Sequence, residues 1–510
     1  MTAVEEMPWR QLHRRTVPVT ALTVAGIAAG IAAPFVFGFV GGGKSALTVL
    51  SIAGGAVLLV TVLGALADLM RWRHTTYRIT DERVEMRHQW VLHKVKSVPR
   101  ERVRTVDLTA NPLLRVFGLT VVKIGTGEQQ DDGNQLTLDP VGREHGEELR
   151  RLLLARPAPS AGEATGEAAA GEHVLASIDW SWLRYAPISF VTPVLGAAAF
   201  GAVMQGSDWI GLQNRVISTV GDIGRALGVV PTVLVLTAIG VVIGVLGSLG
   251  LFVEMWWRYR LEREETTLRV HRGLLTTRSL SMERRRLRGV DVFEPFGARL
   301  AGAARVDVVA TGLRKKSDQQ QKADPTTLLP TAPSALAHRV AAEVLGVEAS
   351  PQSTTTIHPH PVAARGRRIR WAIYLVLGFV GVLVLLGLLL TTVLLHIAWI
   401  AAVVLLPVAI ALGVDAYRNL GHGLSNEYLI TRYGAGSRHT VALVRTGVIG
   451  WTIRRSPFQR RVGLLTLSAT TAANNGEYFV RDVAETEGLR FAEEAVPGLL
   501  TPFLQAAPPR

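Results

Sequence analysis

Cysteine is absent from this 510-residue chain, so disulfides, thiolate metal sites and cysteine nucleophiles are excluded. Charged residues make up only 19% of the chain and hydrophobic residues 48%, and the mean hydropathy is +0.26. This combination indicates a mixture of very apolar segments and ordinary ones. No nucleophile–base set or pair of carboxylates in the sequence argues for hydrolysis. We therefore predict a non-enzymatic protein that holds no cofactor and no metal ion.

Six apolar segments are long enough to cross a hydrocarbon core, which takes about 20 residues. They follow one another in pairs, which predicts three transmembrane hairpins, and they cover residues 17–40, 46–70, 185–204, 229–255, 371–393 and 394–414. Residues 205–228 join the second pair, and we expect an amphipathic helix there on the membrane surface. A cleaved signal peptide is the alternative for the first segment. That run is too long for one, and a second apolar segment follows at once.

Arginines cluster on one side of the predicted hairpins. They flank each hairpin, as at Arg14 and Arg370, whereas the tips contain only Lys44, Arg215 and Arg225. By the positive-inside rule, we expect both termini and the three large polar blocks to be cytoplasmic, in a multi-pass protein of the plasma membrane. The same rule explains the net charge of +14 more economically than nucleic-acid binding does, so no nucleic-acid partner is predicted. Six tryptophans fall at the predicted membrane interfaces: Trp9, Trp180, Trp182, Trp256, Trp257 and Trp371.

The three polar blocks repeat one another without a gap around three aligned arginines, Arg100, Arg284 and Arg445. The residues that define the repeat are two prolines at a turn and three glycines that follow it: Pro112, Pro457, Gly118, Gly302 and Gly463. Short alternating segments such as residues 84–86, 91–98 and 120–124 predict antiparallel strands. Each block then ends in an apolar-faced helix, expected at residues 142–154, 334–345 and 489–500. The sequence therefore predicts an α+β domain used three times.

Transmembrane pairs leading into residues 100–118, with an Arg-Val-Asp strand, an Asn-Pro turn and a Phe-Gly close, resemble the bacterial pleckstrin-homology (PH) membrane proteins of the YdbT-like family. The resemblance implies a bent antiparallel β-roll of seven strands, capped by a C-terminal helix. It implies no enzymatic activity. It also suggests a second, smaller PH-domain membrane protein as a partner, and a role in cell-envelope stress or resistance fits this kind of protein.

The resulting division of the chain alternates hairpins with domains. It comprises a cytoplasmic N-terminus (1–16), hairpin 1 (17–70), PH-like domain 1 (71–155), a linker (156–175), hairpin 2 (176–255), PH-like domain 2 (256–348), a linker (349–364), hairpin 3 (365–415) and PH-like domain 3 (416–510). Both linkers are rich in Ala, Pro, Thr or Gly, and we expect them to be flexible tethers without a core.

Clusters of arginine are the candidate binding residues. Near an anionic leaflet each such charge adds about 1 kcal/mol of attraction. The candidates for binding anionic lipid or a partner are Arg100, Arg102, Arg104, Arg115, Arg284, Arg285, Arg286, Arg288, Arg299, Arg454, Arg455, Arg460 and Arg461. The alternative for any one of them is a solvated or ion-paired strand edge. For the aligned Arg100, Arg284 and Arg445 we favour a structural role.

Other motifs carry less weight. Residues 38–45 match the P-loop pattern, but they link two membrane helices and lack the preceding buried strand that a P-loop needs. His358 and His360 lie in a linker without carboxylate or further histidine partners, which is poor support for a metal site. Asp68, Glu254 and Asp415 each end the second helix of a hairpin, and we expect them to pair with nearby arginines.

Two functions stay open at this point. The favoured one is a membrane scaffold whose cytoplasmic PH-like domains bind membrane lipids, a protein partner or one another, with no small-molecule substrate. The alternative is a six-helix transporter or lipid-handling protein with PH-like regulatory domains. A polar cavity at mid-membrane would favour the alternative, whereas the helices are mostly Gly, Ala, Val and Leu.

Overall fold

The computed structural model describes residues 9–41, 43–80, 82–89, 93–103, 105–125, 136–154, 173–189, 191–209, 211–311, 326–473 and 476–503. The chain folds into two compact units, Met1–Arg286 and Leu287–Arg510. The boundary between them falls inside domain 2 of the sequence division. Each unit is described by itself.

The helices fall into long ones, all apolar except the amphipathic α6, and short ones in the domains and the second linker. The long ones are α1 (Thr16–Gly41), α2 (Ala46–His74), α5 (Val191–Trp209), α6 (Gln213–Leu227), α7 (Val229–Trp256), α11 (Val362–Leu389) and α12 (Val393–Arg418). The short ones are α3 (Pro112–Val116), α4 (Arg143–Leu154), α8 (Phe296–Leu300), α9 (Ser334–Leu345), α10 (Pro351–Thr354), α13 (Pro457–Arg460) and α14 (Glu485–Ala495). The amphipathic helix expected within residues 205–228 is present as α6.

Among the described residues, five helices are long and apolar enough to cross a membrane: α1, α2, α7, α11 and α12. The third predicted segment, residues 185–204, corresponds to α5, which starts six residues later than predicted at Val191. The start is displaced because Trp180–Tyr185 forms a 3₁₀ helix whose first turn is capped by Asp179, with the Ser181 amide donating at 2.9 Å. Trp182 and Tyr185 of this turn are buried in the protein.

The apolar helices contact one another in the pairs α1 with α2, α5 with α7, and α11 with α12. Small residues bring α5 and α7 close together. Gly196 faces the backbone carbonyl of Gly240, and Gly244 faces that of Thr192, with no room for a Cβ at either glycine. This is the role expected of glycine where helix backbones approach closely.

In the described parts of the chain, the strands form four antiparallel sheets. In unit 1 they are β1 (Arg10–Gln11), β2 (Thr75–Ile79), β3 (Arg83–Gln89), β4 (His93–Pro99), β5 (Thr105–Ala110), β6 (Leu119–Gly125), β7 (Leu136–Gly142), β8 (His173–Ser177), β9 (Arg260–Arg263), β10 (Thr267–Arg272) and β11 (Thr277–Glu283). In unit 2 they are β12 (Leu287–Glu294), β13 (Ala303–Ala310), β14 (Thr327–Pro333), β15 (Gly421–Leu424), β16 (Tyr428–Tyr433), β17 (Arg438–Val444), β18 (Val448–Arg454), β19 (Leu464–Thr471) and β20 (Glu477–Ala484). The sheet orders are β1-β2-β3-β4, β7-β6-β5-β11-β10-β9-β8, β14-β13-β12-β17-β16-β15 and β18-β19-β20.

Each domain contributes two three-stranded halves, and a further strand comes from the chain before its hairpin. β1 pairs with β2, and β8 pairs with β9. In the third repeat, a single bridge between His358 and His422 takes the same place. The repeating unit therefore begins before the hairpin, which the sequence analysis did not anticipate.

The second half-sheet of one domain is continuous with the first half-sheet of the next. β5 of domain 1 pairs with β11 of domain 2, and β12 of domain 2 pairs with β17 of domain 3. We call these strand pairs joint 1 and joint 2. These sheets therefore extend beyond a single domain, which the resemblance did not imply. The backbone groups along β5 and β12 are satisfied by the neighbouring domain, which closes two edges that would otherwise be exposed.

The second linker is not a flexible tether, so that prediction is wrong. Residues 351–354 form α10, and Ser350, Gln352 and His360 are buried. The Gln352 side-chain amide donates to the Val290 carbonyl at 3.0 Å. Polar side chains in this segment find partners on the domain surface, and composition alone does not reveal that. Of the first linker, residues 173–175 belong to β8, and the rest lies outside the described residues.

One further expectation needs correction. The last closing helix is α14, which begins at Glu485 and ends at Ala495, four to five residues before the predicted 489–500. It starts earlier because β20 ends at Ala484, so the helix follows the strand directly. Trp182 and Trp256 are buried against Tyr259, with ring centroids 6.4 Å and 5.4 Å from its ring, and their place at a membrane interface stays a prediction.

Candidate functional site

The turn that defines the repeat has the same geometry in all three domains. The backbone amides of Gly118, Gly302 and Gly463 each donate to the carbonyl three residues earlier, at 3.0, 3.2 and 3.4 Å. Each glycine has a φ between 64° and 68°, which a residue with a Cβ rarely adopts. In turn, their carbonyls accept from the first residue of the closing helix: Arg143, Ser334 and Glu485, at 3.0, 2.9 and 3.0 Å. The glycines thus dock the closing helix onto the sheet.

Proline starts the small helix that precedes each of two of these glycines. Pro112 and Pro457 occupy the first helical turn, where a missing amide hydrogen costs nothing. Asn111 caps the first helix by accepting from the Leu114 amide at 2.8 Å. Ser456 and Gln459 form a capping box on the other. This local chemistry explains why the turn recurs in the sequence.

Two of the aligned arginines hold the end of a closing helix. The Arg100 side chain donates to the Leu152 carbonyl near the end of α4. The Arg445 side chain donates to the Ala495 carbonyl at 2.7 Å, and also to that of Glu494, at the end of α14. Cations are favoured at this end of a helix, where carbonyls lack partners. This geometry supports the structural role expected for Arg100 and Arg445.

The backbone of all three aligned arginines makes an equivalent bond. The amides of Arg100, Arg284 and Arg445 donate to the carbonyls of Glu82, Thr266 and Glu427, at 2.8, 2.8 and 2.9 Å. A 3₁₀ turn begins at each arginine. The aligned position therefore fixes the passage from one half-sheet to the next strand.

Joint 1 and joint 2 each carry an arginine from the small helix of the earlier domain. The Arg115 side chain on α3 donates to the Leu274 carbonyl in the β10–β11 turn. The Arg299 side chain on α8 donates to the Gly436 carbonyl in the β16–β17 turn at 3.2 Å. These two arginines occupy the same position of the repeat. Each reaches from its own domain to the β-turn of the next.

An acidic residue at the end of an apolar helix holds the same β-turn. Glu254 of α7 accepts from the amides of Leu275 and Thr276, at 2.9 and 3.0 Å. Asp415 of α12 accepts from the Gly436 amide at 2.8 Å and from Arg299 at 2.9 Å. Glu254 thus binds backbone amides rather than the arginine expected. Asp68 follows the prediction, since Arg71 donates to it at 2.9 Å.

Joint 1 also contains a network of paired charges between α4 and the sheet of domain 2. Arg150, which is buried, donates to Glu264 at 3.2 Å and to Glu147 at 3.0 Å. Arg269 donates to Glu147 at 2.8 Å. Burial raises the pKa of Glu264, but the hydrogen bond from Thr267 and the Arg150 charge outweigh it and leave this pKa below its usual value. These residues line a cleft, and their charges are already paired with one another.

Aspartates at one repeat position mark both joints. In joint 1, burial raises the pKa of Asp107 on β5, and the Arg278 charge of β11 opposes that shift. In joint 2, Asp291 on β12 lies 2.8 Å from Nδ1 of His439 on β17. Arg438 forms an ion pair with Glu294 next to it. In joint 2 the Arg438–Glu294 ion pair thus adds to the backbone pairing.

Most of the remaining candidate arginines are bound within their own unit. Arg285 and Arg286 both donate to Glu283, at 2.9 and 3.1 Å. Arg454 donates to Glu477 and Arg455 to Glu485, each through two bonds of 2.6–3.0 Å. Arg102 and Arg288 also have interactions of their own. Arg104 lies outside the described residues.

Arg460 and Arg461 differ from this pattern. Both are exposed at the end of α13, and no acidic side chain among the described residues is within ion-pair distance of them. Phe458 and Val462 beside them are exposed as well. Arg460 is the repeat equivalent of Arg115 and Arg299, whose partners lie in a following domain.

The two linker histidines have a histidine neighbour that the sequence analysis missed. His360 Nδ1 lies 2.8 Å from the Arg481 carbonyl, and its Nε2 lies 3.0 Å from Nδ1 of His422. Burial lowers the pKa of His360 to about 4 and that of His422 to about 3. No cluster of three metal-binding side chains occurs in the part of the chain that the structure describes. The pair packs as neutral imidazoles.

A buried carboxylate joins α11 to domain 3. Asp482 on β20 is fully buried and has a positive φ of 61°. Arg367 and Arg368 from the first turns of α11 both pair with it, the latter at 2.6 Å. The Gln459 side chain of α13 also donates to it at 2.8 Å. These bonds fix the start of an apolar helix against a domain, which no sequence motif signalled.

The fold and these contacts define a membrane-associated class of protein, in which apolar helices lead into repeated β-rich domains. The family model described as Bacterial PH domain matches residues 20–157, 218–346 and 374–492. These three matches cover more than half of the chain, and each runs from an apolar helix into a β-rich domain. The chain therefore belongs to the bacterial PH domain family, as the resemblance indicated. No curated protein and no solved structure gives a significant match. The YdbT-like subdivision stays a prediction.

Proposed function

We propose that the chain is a non-enzymatic scaffold of the plasma membrane that presents three PH domains on the cytoplasmic face. Joint 1 is the observation that supports this most. Because β5 and β11 share one sheet, domain 1 holds the first half of domain 2 in a defined register. Joint 2 does the same for the second half of domain 2 and domain 3. Positioning neighbouring domains is the physical requirement of a scaffold.

Joint 1 also supports a sixth membrane-spanning helix. β5 precedes α5 and β11 follows α7, yet the two strands pair. If α7 crosses the membrane, the chain between the two strands must cross an even number of times. The proposal is that α5 makes the other crossing and that α6 lies on the far side. At 1.5 Å per residue, the 19 residues of α5 span about 28 Å, close to the thickness of the hydrocarbon core.

Anionic lipid is the binding partner that the exposed arginines favour. Arg460 and Arg461 carry two positive charges without an internal acid, next to exposed Phe458 and Val462. Exposed cations beside apolar side chains suit the surface of an anionic leaflet. The other clusters offer less, since their charges are already paired within the protein. This narrows the candidate lipid contact to the end of α13.

The test uses the full chain in nanodiscs of phosphatidylcholine with and without phosphatidylglycerol. Because the chain has no cysteine, Val462→Cys can carry a single environment-sensitive fluorophore. The expected result is a blue shift with phosphatidylglycerol that high salt reverses. In the Arg460→Ala/Arg461→Ala background the shift should be lost. Identical spectra in both lipids would contradict the proposed contact.

The matched control changes two arginines of the same domain that are already paired. In Arg454→Ala/Arg455→Ala, the removed charges are those that Glu477 and Glu485 balance. The lipid-dependent shift should therefore persist in this variant.

A transport function gains no specific support, since the groove between α1 and α2 is lined only by Val, Ile and Ala side chains.

A further inference from the structure

Both joints use one register of the repeat. In joint 1, Leu108 of β5 lies opposite Ser279 of β11. In joint 2, Val292 of β12 lies opposite Thr440 of β17. In the ungapped alignment of the repeats, Leu108 and Val292 are one position, and Ser279 and Thr440 are another. The joints are therefore two copies of one interface.

Among the described residues, two strands lack the neighbour that their repeat equivalents have in the joints. Within the described residues, β18 is the edge of its sheet, and it is the repeat equivalent of β5 and β12. β4 is likewise an edge, and it is the equivalent of β11 and β17. β18 thus presents the edge that β5 and β12 use in the joints, and β4 presents the edge that β11 and β17 use.

Side-chain exposure follows the presence of a joint. Leu108 and Val292 are 6% and 1% exposed, whereas Ile453, at the same position of β18, is 43% exposed. Ser279 and Thr440 are 4% and 7% exposed, whereas Val95, at the same position of β4, is 59% exposed. An apolar side chain is therefore solvent-exposed at the centre of each of the two edge strands, β18 and β4.

We propose that a second copy of this chain pairs with these two edge strands. β18 of one copy then pairs antiparallel to β4 of the other, so that Ile453 lies opposite Val95. The pairing adds a hydrogen-bonded neighbour to each edge strand and buries both apolar side chains. The contact is heterologous, so it builds either a ring or an open row of copies. The inference rests on the proposed function in one respect: both copies stand in one membrane, with their domains on the same side.

Basic residues on the edge strands limit which strands can pair there, but they do not prevent the proposed pairing. Arg454 lies next to Ile453 on β18, and basic residues on edge strands discourage unselective pairing. Glu477 binds Arg454 through both carboxylate oxygens, at 3.0 and 2.9 Å, so the Arg454 charge is balanced within its own domain. Joint 1 also sets a basic residue, Arg278, opposite Thr109. The interface thus tolerates a cation at that position.

The test exploits the absence of cysteine in the chain. Full-length Val95→Cys and Ile453→Cys variants carrying different tags are expressed together, and their membranes are oxidised. Residues directly opposite in an antiparallel pair have Cα atoms about 5 Å apart, which is within the range that a disulfide spans. The expected product is a cross-linked dimer that carries both tags and disappears on reduction.

Three controls make the result decisive. Leu108→Cys/Ser279→Cys within one chain should form its internal disulfide, which shows that the joint is intact. Thr452→Cys in place of Ile453→Cys should cross-link poorly to Val95→Cys, because its side chain is on the other face of the strand. Either single variant alone should give no dimer at these positions.

An internal disulfide without a mixed dimer would overturn the self-association, as would equal cross-linking by Thr452→Cys. These outcomes leave the lipid response at Arg460 and Arg461 unaffected, so failure here differs from failure of the proposed function. A mixed dimer in the expected register, with the Thr452→Cys control negative, supports the second copy as the partner.

Discussion

Leu108 lies directly opposite Ser279, although the two residues belong to different PH domains. Neither residue carries a charge or a motif. Their pairing joins two half-sheets into one seven-stranded sheet, and it recurs at Val292 and Thr440. Within each unit, the sheets are therefore organised by joints as much as by domains.

The first prediction concerns the register of the joints. We expect an intramolecular disulfide on mild oxidation of the full chain in two double variants, Leu108→Cys/Ser279→Cys and Val292→Cys/Thr440→Cys. The reason is that the Cα atoms of opposite residues lie about 5 Å apart. Faster migration on a non-reducing gel, or mass spectrometry of the linked peptides, detects it. Leu108→Cys/Leu280→Cys is the control, since its side chains point to opposite faces. Efficient cross-linking of that control would show that the register is different.

The second prediction concerns the clamp at joint 2. Arg299→Ala removes the bonds to Asp415 and to the Gly436 carbonyl, and hydrogen bonds to charged groups contribute about 2 kcal/mol. We expect the opening free energy of β16 and β17 to fall by about that amount in hydrogen exchange. Arg339→Ala, on the exposed face of α9 with Glu343 4.0 Å away, is the matched control. Equal loss of protection in both variants would argue against the clamp.

The third prediction concerns pH. The pKa values of His360 and His422 are lowered by burial to about 4 and about 3. An unfolded histidine takes up its proton near pH 6.5, whereas the folded pair stays neutral. The stability that the pair contributes is therefore complete above pH 6.5. It is lost as the pH falls towards 4, at about 1.4 kcal/mol per unit for each histidine.

Hydrogen exchange of β15 between pH 7 and pH 5, corrected for intrinsic rates, measures this loss. His422→Phe keeps a ring against His360 and removes one titrating group, so its pH dependence should be shallower. His396→Gln, which changes an exposed histidine in the first turn of α12, should behave as the wild type. A pH dependence unchanged in His422→Phe would contradict the assignment to this pair.

Sequence reasoning found the features that depend on local chemistry. The turn at Pro112 and Gly118 was visible because a fixed φ and a positive φ each demand a particular residue type. The closing helix α9 has its predicted ends, since its apolar face follows helical periodicity. The apolar helices follow from composition, apart from α5, whose polar end near Asp208 lowers its hydropathy. Family membership followed from the threefold recurrence of these features.

The joints could not be predicted in the same way. β5 alternates buried and half-buried positions as any half-covered strand does, and nothing in Leu108 specifies Ser279 as its neighbour. The role of Arg299 depends on Asp415, 116 residues later in the chain. The buried linker around Gln352 and His360 has the composition of a tether, and only its contacts reveal its packing. A recurring arginine at Arg115, Arg299 and Arg460 was the available signal, and without coordinates it indicated a ligand rather than a joint.

The most direct test of the account is the sidedness of the domains in the membrane. Single cysteines at Glu101 in domain 1, Arg339 in domain 2 and Ser218 in α6 are treated with a membrane-impermeant maleimide in intact cells and after permeabilisation. The scaffold with six spans predicts labelling of Ser218→Cys in intact cells. Glu101→Cys and Arg339→Cys should be labelled only after permeabilisation. Labelling of the two domain positions from opposite sides, as five spans would require, would contradict the account.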